Sequence, residues 1–374
     1  MNKPRLLIAT DNYLPRRDGI SMFLSHAIPC LSERFEVTVV APGLGDIEPE
    51  GYTLITMPVR RRSYGEFRFA TITPKLRAAV RSSDIVFSQT IGPIGNACID
   101  EATTSGIPSV AYVHSHEWEL VPRYLNLKRL RWIAERLVLM RMRRVYSKTN
   151  LVIVPSRDEA LLFQTHGIHV PTQVVHVGID PYRFVANANK VEAKQNLGLD
   201  HTHLVVGYTG RISYEKDLET LLRAFLWVKR GYEKTTLLLV GSGIPELEEK
   251  LSSKRGVVHV KSVPDVTPYL QAMDIYVMPS LTETSSLSTL EAMSCKLAVI
   301  TTRVGLMKNY IVDGENGFSY TRGDWMTLAR TIKRLSSDVA LRNRVGEEAR
   351  KTVLNGFVLE TSCGHLADAL ETVL

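Results

Sequence analysis

Pro279-Ser-Leu-Thr-Glu-Thr-Ser-Ser-Leu-Ser-Thr-Leu-Glu-Ala-Met293 is the stretch on which the reading of this chain turns. It follows Asp274-Ile-Tyr-Val-Met278, an apolar run that predicts a buried strand ended by a proline. Hydroxyl residues and Glu283 come next, then a helical pattern carrying Glu291. Open α/β sheets bind ligands at the carboxyl ends of their parallel strands, which is where the first acid falls. The two glutamates are eight residues apart, a little over two helical turns. With a helix starting near Ser285, Glu283 belongs to the loop and Glu291 to the helix, so both can face one elongated ligand. The competing reading is a capping acid plus a solvated helix acid.

Moving outward, the same strand, loop and helix rhythm fills the chain. Apolar runs at Leu204–Ile212, Thr236–Val240, Val257–Val260 and Ala298–Thr302 surround the opening stretch. An earlier set lies at Arg5–Thr10, Val37–Ala41, Asp84–Ser88, Ser109–Val113 and Leu151–Pro155. Such alternation predicts two Rossmann-like α/β domains, and two facing domains suit a bulky nucleotide ligand between them. The crossover is placed in Val174–Phe184, giving domains of residues 1–178 and 179–356. The first loop, Asp11–Ile20, precedes a helix over Ser21–Ser32 and lacks the three-glycine dinucleotide fingerprint, so a nicotinamide cofactor is not expected. Asp18-Gly19 is either a tight turn or a place where backbone N–H groups approach an anion.

Composition narrows the class. At 374 residues the chain exceeds a single core, and 44% hydrophobic with 23% charged residues is ordinary for a globular enzyme. Cys30, Cys98, Cys295 and Cys363 are far apart in sequence, which fits reduced thiols and neither a disulfide framework nor a zinc site. No apolar stretch approaches a membrane span, and Arg5 interrupts the apolar start, so a cytoplasmic chain without a signal peptide is expected. Much of the net charge of +7 comes from one segment. Arg123, Lys128, Arg129, Arg131, Arg136, Arg141, Arg143, Arg144 and Lys148 are opposed only by Glu135.

Within that segment Leu130, Ile133, Leu137, Met140 and Val145 recur at helical spacing, with Trp132 beside them. One reading is a core-facing helix with a solvated cationic face. Another is adsorption to an anionic membrane surface through Lys128, Arg129, Arg131, Trp132, Arg136, Arg141, Arg143 and Arg144, with Arg60-Arg61-Arg62 added. Nucleic acid is the third reading, and thin aromatic interleaving disfavours such a partner. His114-Ser-His116 stands just beyond the strand at 109–113. The two histidines have the spacing to share a metal, but no third ligand stands near, so no metal is expected.

The phosphate-binding half of a site is legible in Gly210-Arg-Ile-Ser-Tyr-Glu-Lys216, between a strand and a helix beginning near Asp217. Arg211 and Lys216 at a helix N-terminus suit a diphosphate and would neutralise charge on a departing nucleoside diphosphate. That arrangement needs no magnesium, and no Asp-x-Asp follows a strand.

Gly210-Arg211, Lys216, Pro279-Ser280, the Glu283-x7-Glu291-Ala-Met block and Asp313-Gly-Glu-Asn-Gly317 come in the order of a known family. With Asp18-Gly19 and His114, they make the whole chain resemble the retaining GT-B-fold glycosyltransferases of "glycosyl transferase group 1". The resemblance implies the GT-B fold, with two Rossmann-like domains of parallel strands facing across a central cleft. It implies that Arg211 and Lys216 bind the donor diphosphate and Glu291 the ribose hydroxyls. Glu283 and His114 are implied contacts of the donor sugar. Gly19 and Gly210 would let backbone approach the donor, and Ser285, Ser286 and Leu287 would face it. Retention through front-side attack follows from the family, as does a C-terminal helix, residues 357–374, packing back on the first domain.

The chain departs from the family pattern in places. Ser285-Ser286 stands where a Phe-Gly pair is common, and a positive φ would be costly at Ser286. Lys296 and Leu306 replace frequent glycines, as does Asp18. Ser88–Gly95 and the stretch from His114 to Tyr124 look similar to phosphatidylinositol mannosyltransferases and diacylglycerol glucosyltransferases. The expected activity is transfer of a hexose from a GDP-mannose or UDP-glucose type donor to a membrane lipid hydroxyl, with no cofactor beyond that co-substrate. The expected location is cytoplasmic and peripheral at the inner face of the cell membrane. A soluble acceptor, a UDP-N-acetylglucosamine epimerase and a nucleotide-sugar-binding protein with a decayed site are the alternatives. Base, sugar, acceptor and oligomeric state are not legible.

Overall fold

The structure, a computed structural model, describes residues 3–16, 18–64, 67–115, 117–118 and 131–374, without the side chains of 60–69 and 131. It divides into unit 1, Met1–Val177 with Glu360–Leu374, and unit 2, Gly178–Leu359.

Unit 1 contains β1 (Arg5–Ala9), β2 (Glu36–Pro42), β3 (Thr53–Met57), β4 (Val59–Tyr64), β5 (Phe67–Ala70), β6 (Ile85–Ser88), β7 (Ser109–Tyr112), β8 (Leu151–Val154) and β9 (Thr172–Val174). Seven of these form one sheet in the order β3-β2-β1-β6-β7-β8-β9, and every pairing in it is parallel. β4 and β5 form a separate antiparallel hairpin. Strands β6, β7 and β8 are buried along their whole length, as expected for a sheet covered on both faces. Asp18 starts the helix Gly19–Arg34 through a capping box with Ser21.

Unit 2 contains β10 (Leu204–Thr209), β11 (Thr235–Val240), β12 (Val257–Val260), β13 (Ile275–Met278), β14 (Ala298–Thr302) and β15 (Phe318–Tyr320). These form a second parallel sheet in the order β12-β11-β10-β13-β14-β15. The order reverses between β10 and β13, so the loops after these two strands leave the sheet at its switch point, where open α/β sheets bind ligands. The segment 210–217 follows β10, and the opening stretch follows β13.

The helix Leu359–Glu371 belongs almost wholly to unit 1. Arg34 holds it there by ion pairs with Asp368 at 2.7 Å and with Glu371. The sequence over 357–374 predicts an amphipathic helix with Phe357, Leu366, Leu370 and Leu374 on its apolar face, but Phe357 is buried in the core of unit 2 and Leu374 is exposed. Leu366 and Leu370 are the buried members of that face.

Candidate active site

Two loops of unit 2 build the candidate site. β10 ends at Thr209, and Gly210 turns the chain at φ 144°, a conformation that favours glycine. The Tyr208 hydroxyl donates to the carbonyl of Arg211 at 2.7 Å. A short 3-10 turn, Tyr214–Lys216, then leads through Asp217 into the helix Leu218–Gly231. Arg211 forms an ion pair with Glu215, whose carboxylate also accepts from the Ser213 hydroxyl at 2.6 Å. Lys216 forms an ion pair with Glu283 across the two loops. Ser280 donates to the same Glu283 oxygen at 2.8 Å. The structure thus brings Lys216, Glu283 and Ser280 together and pairs Arg211 with Glu215, so both cations meet a carboxylate.

The second loop is fixed from below. Leu281 donates its N–H to the Glu215 carbonyl at 2.7 Å, and the Thr302 hydroxyl donates to the Ser280 carbonyl at 2.5 Å. Leu306 donates its N–H to the Thr284 carbonyl at 2.7 Å. Gly305 lies against the same carbonyls, since a Cβ there would come within 2.4 Å of the Glu283 oxygen and 2.6 Å of the Thr284 oxygen. Leu306 itself is a core residue.

Ser286 takes the conformation that its residue type disfavours, φ 54° and ψ 74°, as the residue before the helix Leu287–Ser294. Its hydroxyl pairs with that of Thr289 at 2.8 Å and does not cap the helix. Among the described residues Asp217 and Lys296 are the other non-glycine residues with positive φ. Glu291 lies on the helix that Ser286 opens. Burial pushes its carboxyl up to about 7, with Arg183 opposing the shift. Beneath the two loops the Tyr276 phenol is pushed well up by burial, and the charges of Glu291 and Glu283 add to that shift.

In unit 1, His114 lies two residues past the end of β7. Its Nε2 is 2.8 Å from the Gln89 side-chain oxygen. Its ring stacks on Tyr112 at 4.5 Å and meets Phe23 edge-on at 5.0 Å. Burial pushes the imidazole down to about 3, so it is neutral at physiological pH. Gly19 has open space around it, for a Cβ there would meet nothing within 4 Å. The Asp18 carboxylate accepts from the N–H groups of Ile20 and Ser21 at 3.1 and 3.0 Å. His116, Lys128 and Arg129 lie outside the described residues, as do the side chains of Arg131 and Arg60-Arg61-Arg62. Among the described residues no cluster of three or more histidine, cysteine, aspartate or glutamate side chains is placed to hold a metal. None of the described helices is long and apolar enough to cross a membrane.

The helix Arg131–Tyr146 corrects the core-facing reading of its apolar stripe. Trp132, Leu137 and Met140 are 63%, 59% and 56% exposed, and Ile133 is exposed too. The face turned to the core carries Met142, Val145 and Tyr146. Arg136, Arg141 and Arg144 are exposed on the helix, whereas Arg143 also donates from Nε to the His166 carbonyl at 2.5 Å.

Three residues near these sites were not singled out from the sequence. Glu215 reads there as an ordinary acid beside a lysine, and Gln89 as a strand-end polar residue. Asp11 accepts from Thr90 at 2.6 Å and from the N–H groups of Ile94 and Gly95 at 2.9 and 3.2 Å. Only their strand-end positions mark Gln89 and Asp11 in the sequence, and nothing marks Glu215.

Two parallel α/β units, with a cationic loop and a glutamate loop at the switch point of the second, define a glycosyltransferase of the GT-B class. Residues 203–338 match the model "Glycosyl transferases group 1", and residues 17–183 match "Glycosyltransferase Family 4". The chain thus carries a group 1 glycosyltransferase domain preceded by a Glycosyltransferase Family 4 domain. It is 33% identical over 204 residues to the capsular polysaccharide biosynthesis glycosyltransferase CapM of Staphylococcus aureus, covering 53% of each chain, so about half of that relative's length is matched. It is 23% identical to the GDP-mannose-dependent alpha-(1-6)-phosphatidylinositol monomannoside mannosyltransferase of Mycolicibacterium smegmatis, covering 98% of each chain. In fold it is similar to HepE of Anabaena, solved in complex with UDP-glucose, with a TM-score of 0.79 at 18% identity and coverage of 99% and 100%.

Proposed function

We propose that this protein is a retaining, metal-independent hexosyltransferase that uses a nucleoside diphosphate sugar and acts on a hydroxyl of a membrane lipid. The observation that carries the reading is the pair of cations on the loop after β10, Arg211 held by Glu215 and Lys216 by Glu283 of the neighbouring loop, at the switch point of unit 2. Two cations on one loop match a diphosphate, and they stabilise it most as negative charge grows on the leaving group. Glu291, on the next helix, takes the ribose hydroxyls. Ser285, Ser286 and Leu287 present backbone to the sugar and phosphates. The acceptor oxygen bonds to the anomeric carbon on the face from which the diphosphate leaves. The sugar–phosphate bond breaks, and a departing phosphate oxygen takes the acceptor proton, so no side chain is required as base.

The lipid acceptor rests on the exposed face of the helix Arg131–Tyr146, where Trp132, Ile133, Leu137 and Met140 stand among Arg136, Arg141 and Arg144. Bulky apolar side chains ringed by arginines suit the interface of an anionic bilayer. Peripheral attachment on the cytoplasmic side follows from this reading. The similarity to a phosphatidylinositol monomannoside mannosyltransferase supports it.

A thermal-shift screen of UDP-, GDP- and ADP-sugars tests the donor assignment. At least one is expected to raise the melting temperature, and Arg211→Ala and Lys216→Ala are expected to abolish that rise. A rise that survives both substitutions would place the donor elsewhere.

A further inference from the structure

We infer that Glu215 is a positioning residue for the diphosphate site, holding the Arg211 guanidinium from behind so that its remaining donors face the phosphates. The inference rests on the diphosphate reading above.

Glu215 is an unexpected neighbour for an anion site, since a carboxylate repels a diphosphate. Its side chain is only 6% exposed, and that of its partner Arg211 is 24% exposed. The acid therefore sits on the inner side of the pair and the guanidinium on the outer side. A guanidinium has five N–H donors in a fixed plane, so an acid on one edge orients the others without using them up. The Ser213 hydroxyl in turn fixes the carboxylate at 2.6 Å. Burial pushes the Glu215 carboxyl up, but the charge of Arg211 and the Ser213 hydroxyl outweigh it, and the net shift is downward. The acid therefore stays ionised.

The link from this residue to the glutamate loop is made by its main chain, through the hydrogen bond from the Leu281 N–H to the Glu215 carbonyl. The carboxylate instead faces Arg211. An unrestrained arginine side chain loses rotamer entropy on binding an anion, which a prepositioned one does not lose again.

The sign of one measurement separates positioning from plain electrostatics. Calorimetric titration of UDP and of GDP into the full chain gives the dissociation constants for wild type, Glu215→Ala, Glu215→Gln, Arg211→Ala and the double variant Arg211→Ala/Glu215→Ala. Removing a negative charge from an anion site should tighten binding if charge alone matters. Positioning predicts the reverse, a weakening of about tenfold for Glu215→Ala, the loss of one oriented charged hydrogen bond. Glu215→Gln should recover part of it, because its amide oxygen still accepts from the guanidinium. In the Arg211→Ala background the Glu215 substitution should change binding less than about twofold.

Unchanged or tighter binding by Glu215→Ala would overturn the inference, as would a full-sized effect in the Arg211→Ala background. Should Glu215→Ala fail to fold, the isosteric Glu215→Gln carries the same test, with weakening as the supporting result and tightening as the refuting one. If Arg211→Ala itself leaves UDP and GDP binding intact, or wild type binds neither, the diphosphate reading fails first and takes the inference with it.

Discussion

Replacing Lys216 with methionine keeps most of the side-chain volume and removes the charge. Lys216 and Glu283 are paired with side chains only 18% and 12% exposed, and Ser280 adds one donor at 2.8 Å. Lys216→Met therefore strands a nearly buried carboxylate with one hydroxyl for company. Removing one partner of a buried pair costs about 3–5 kcal/mol, most of it for the charge left behind. The expected destabilisation is thus about 3 kcal/mol.

For a domain the size of unit 2, residues 178–359, about 3 kcal/mol lowers the melting temperature by roughly 6–12 °C. The double variant Lys216→Met/Glu283→Met leaves no charge stranded and should melt within about 3 °C of wild type. Donor turnover should behave differently. Both variants lack the diphosphate cation, and both should lose about 3 kcal/mol of transition-state stabilisation, near a hundredfold in kcat/KM. Scanning calorimetry reads the first effect, and donor kinetics or nucleoside diphosphate affinity the second. A double variant as unstable as the single would refute the stranded-charge account. Activity recovering along with stability in the double variant would remove Lys216 from the site.

Three further outcomes follow from other features. Donor affinity should weaken about tenfold between pH 8 and pH 6, because the Glu291 carboxyl, raised to about 7 by burial, gains a proton on the way down and accepts fewer ribose hydrogen bonds; Glu291→Gln should flatten that profile, and an unaltered profile would contradict the ribose role. Ser286→Gly relieves a left-handed backbone worth about 1–2 kcal/mol but gives up a hydroxyl pair and adds glycine entropy of about 1 kcal/mol each, so its melting should stay near wild type while Ser286→Ala loses about 1 kcal/mol; a glycine variant as unstable as the alanine one would show that the strain is absent. Wild type should float with anionic vesicles and less with neutral ones, and Arg136→Gln/Arg144→Gln should weaken that binding about thirtyfold, at about 1 kcal/mol per arginine; equal failure of wild type on both lipids would sink the membrane reading.

What could be read in advance follows from how each feature is encoded. The long strands were legible because parallel strands buried on both faces are continuous apolar runs, as at Leu237–Val240 and Ile275–Met278. β3 and the β4–β5 hairpin were not, since only Met57 of Thr53–Met57 is buried and Val59-Arg-Arg-Arg62 carries no apolar alternation. The Arg131–Tyr146 helix was recognised by its period, but period cannot choose between two apolar faces. Met142, Val145 and Tyr146 took the core, and the stripe of Ile133, Leu137 and Met140 was left outside. At Ser286 the local rule was right about cost and silent about outcome. The turn is held by tertiary contacts, with Gly305 against the carbonyls of Glu283 and Thr284 and Thr289 against the serine hydroxyl, and such contacts are invisible in a local window.

The pairing of both cations also bears on what Glu283 does. Read from the sequence, Glu283 is a contact of the donor sugar; in the structure it holds Lys216. On the proposed function these are two states of one event. The empty site has two positive and two negative side chains, and a diphosphate brings further negative charge. One carboxylate must then give way, and the two are not equally free to do so. Glu215 is the more buried, 6% exposed against 12%, and the Ser213 hydroxyl also holds it. Lys216 is a single point charge that a phosphate oxygen can take over from a carboxylate. Glu283 is therefore the one released, and Ser280 remains at 2.8 Å to steady it. A carboxylate freed in this way is an acceptor looking for donors, and the hydroxyls of the sugar arrive with the diphosphate that freed it. The exchange makes Glu283 available to the sugar only when a diphosphate is present, so a free hexose should bind this site far more weakly than the nucleotide sugar that carries it.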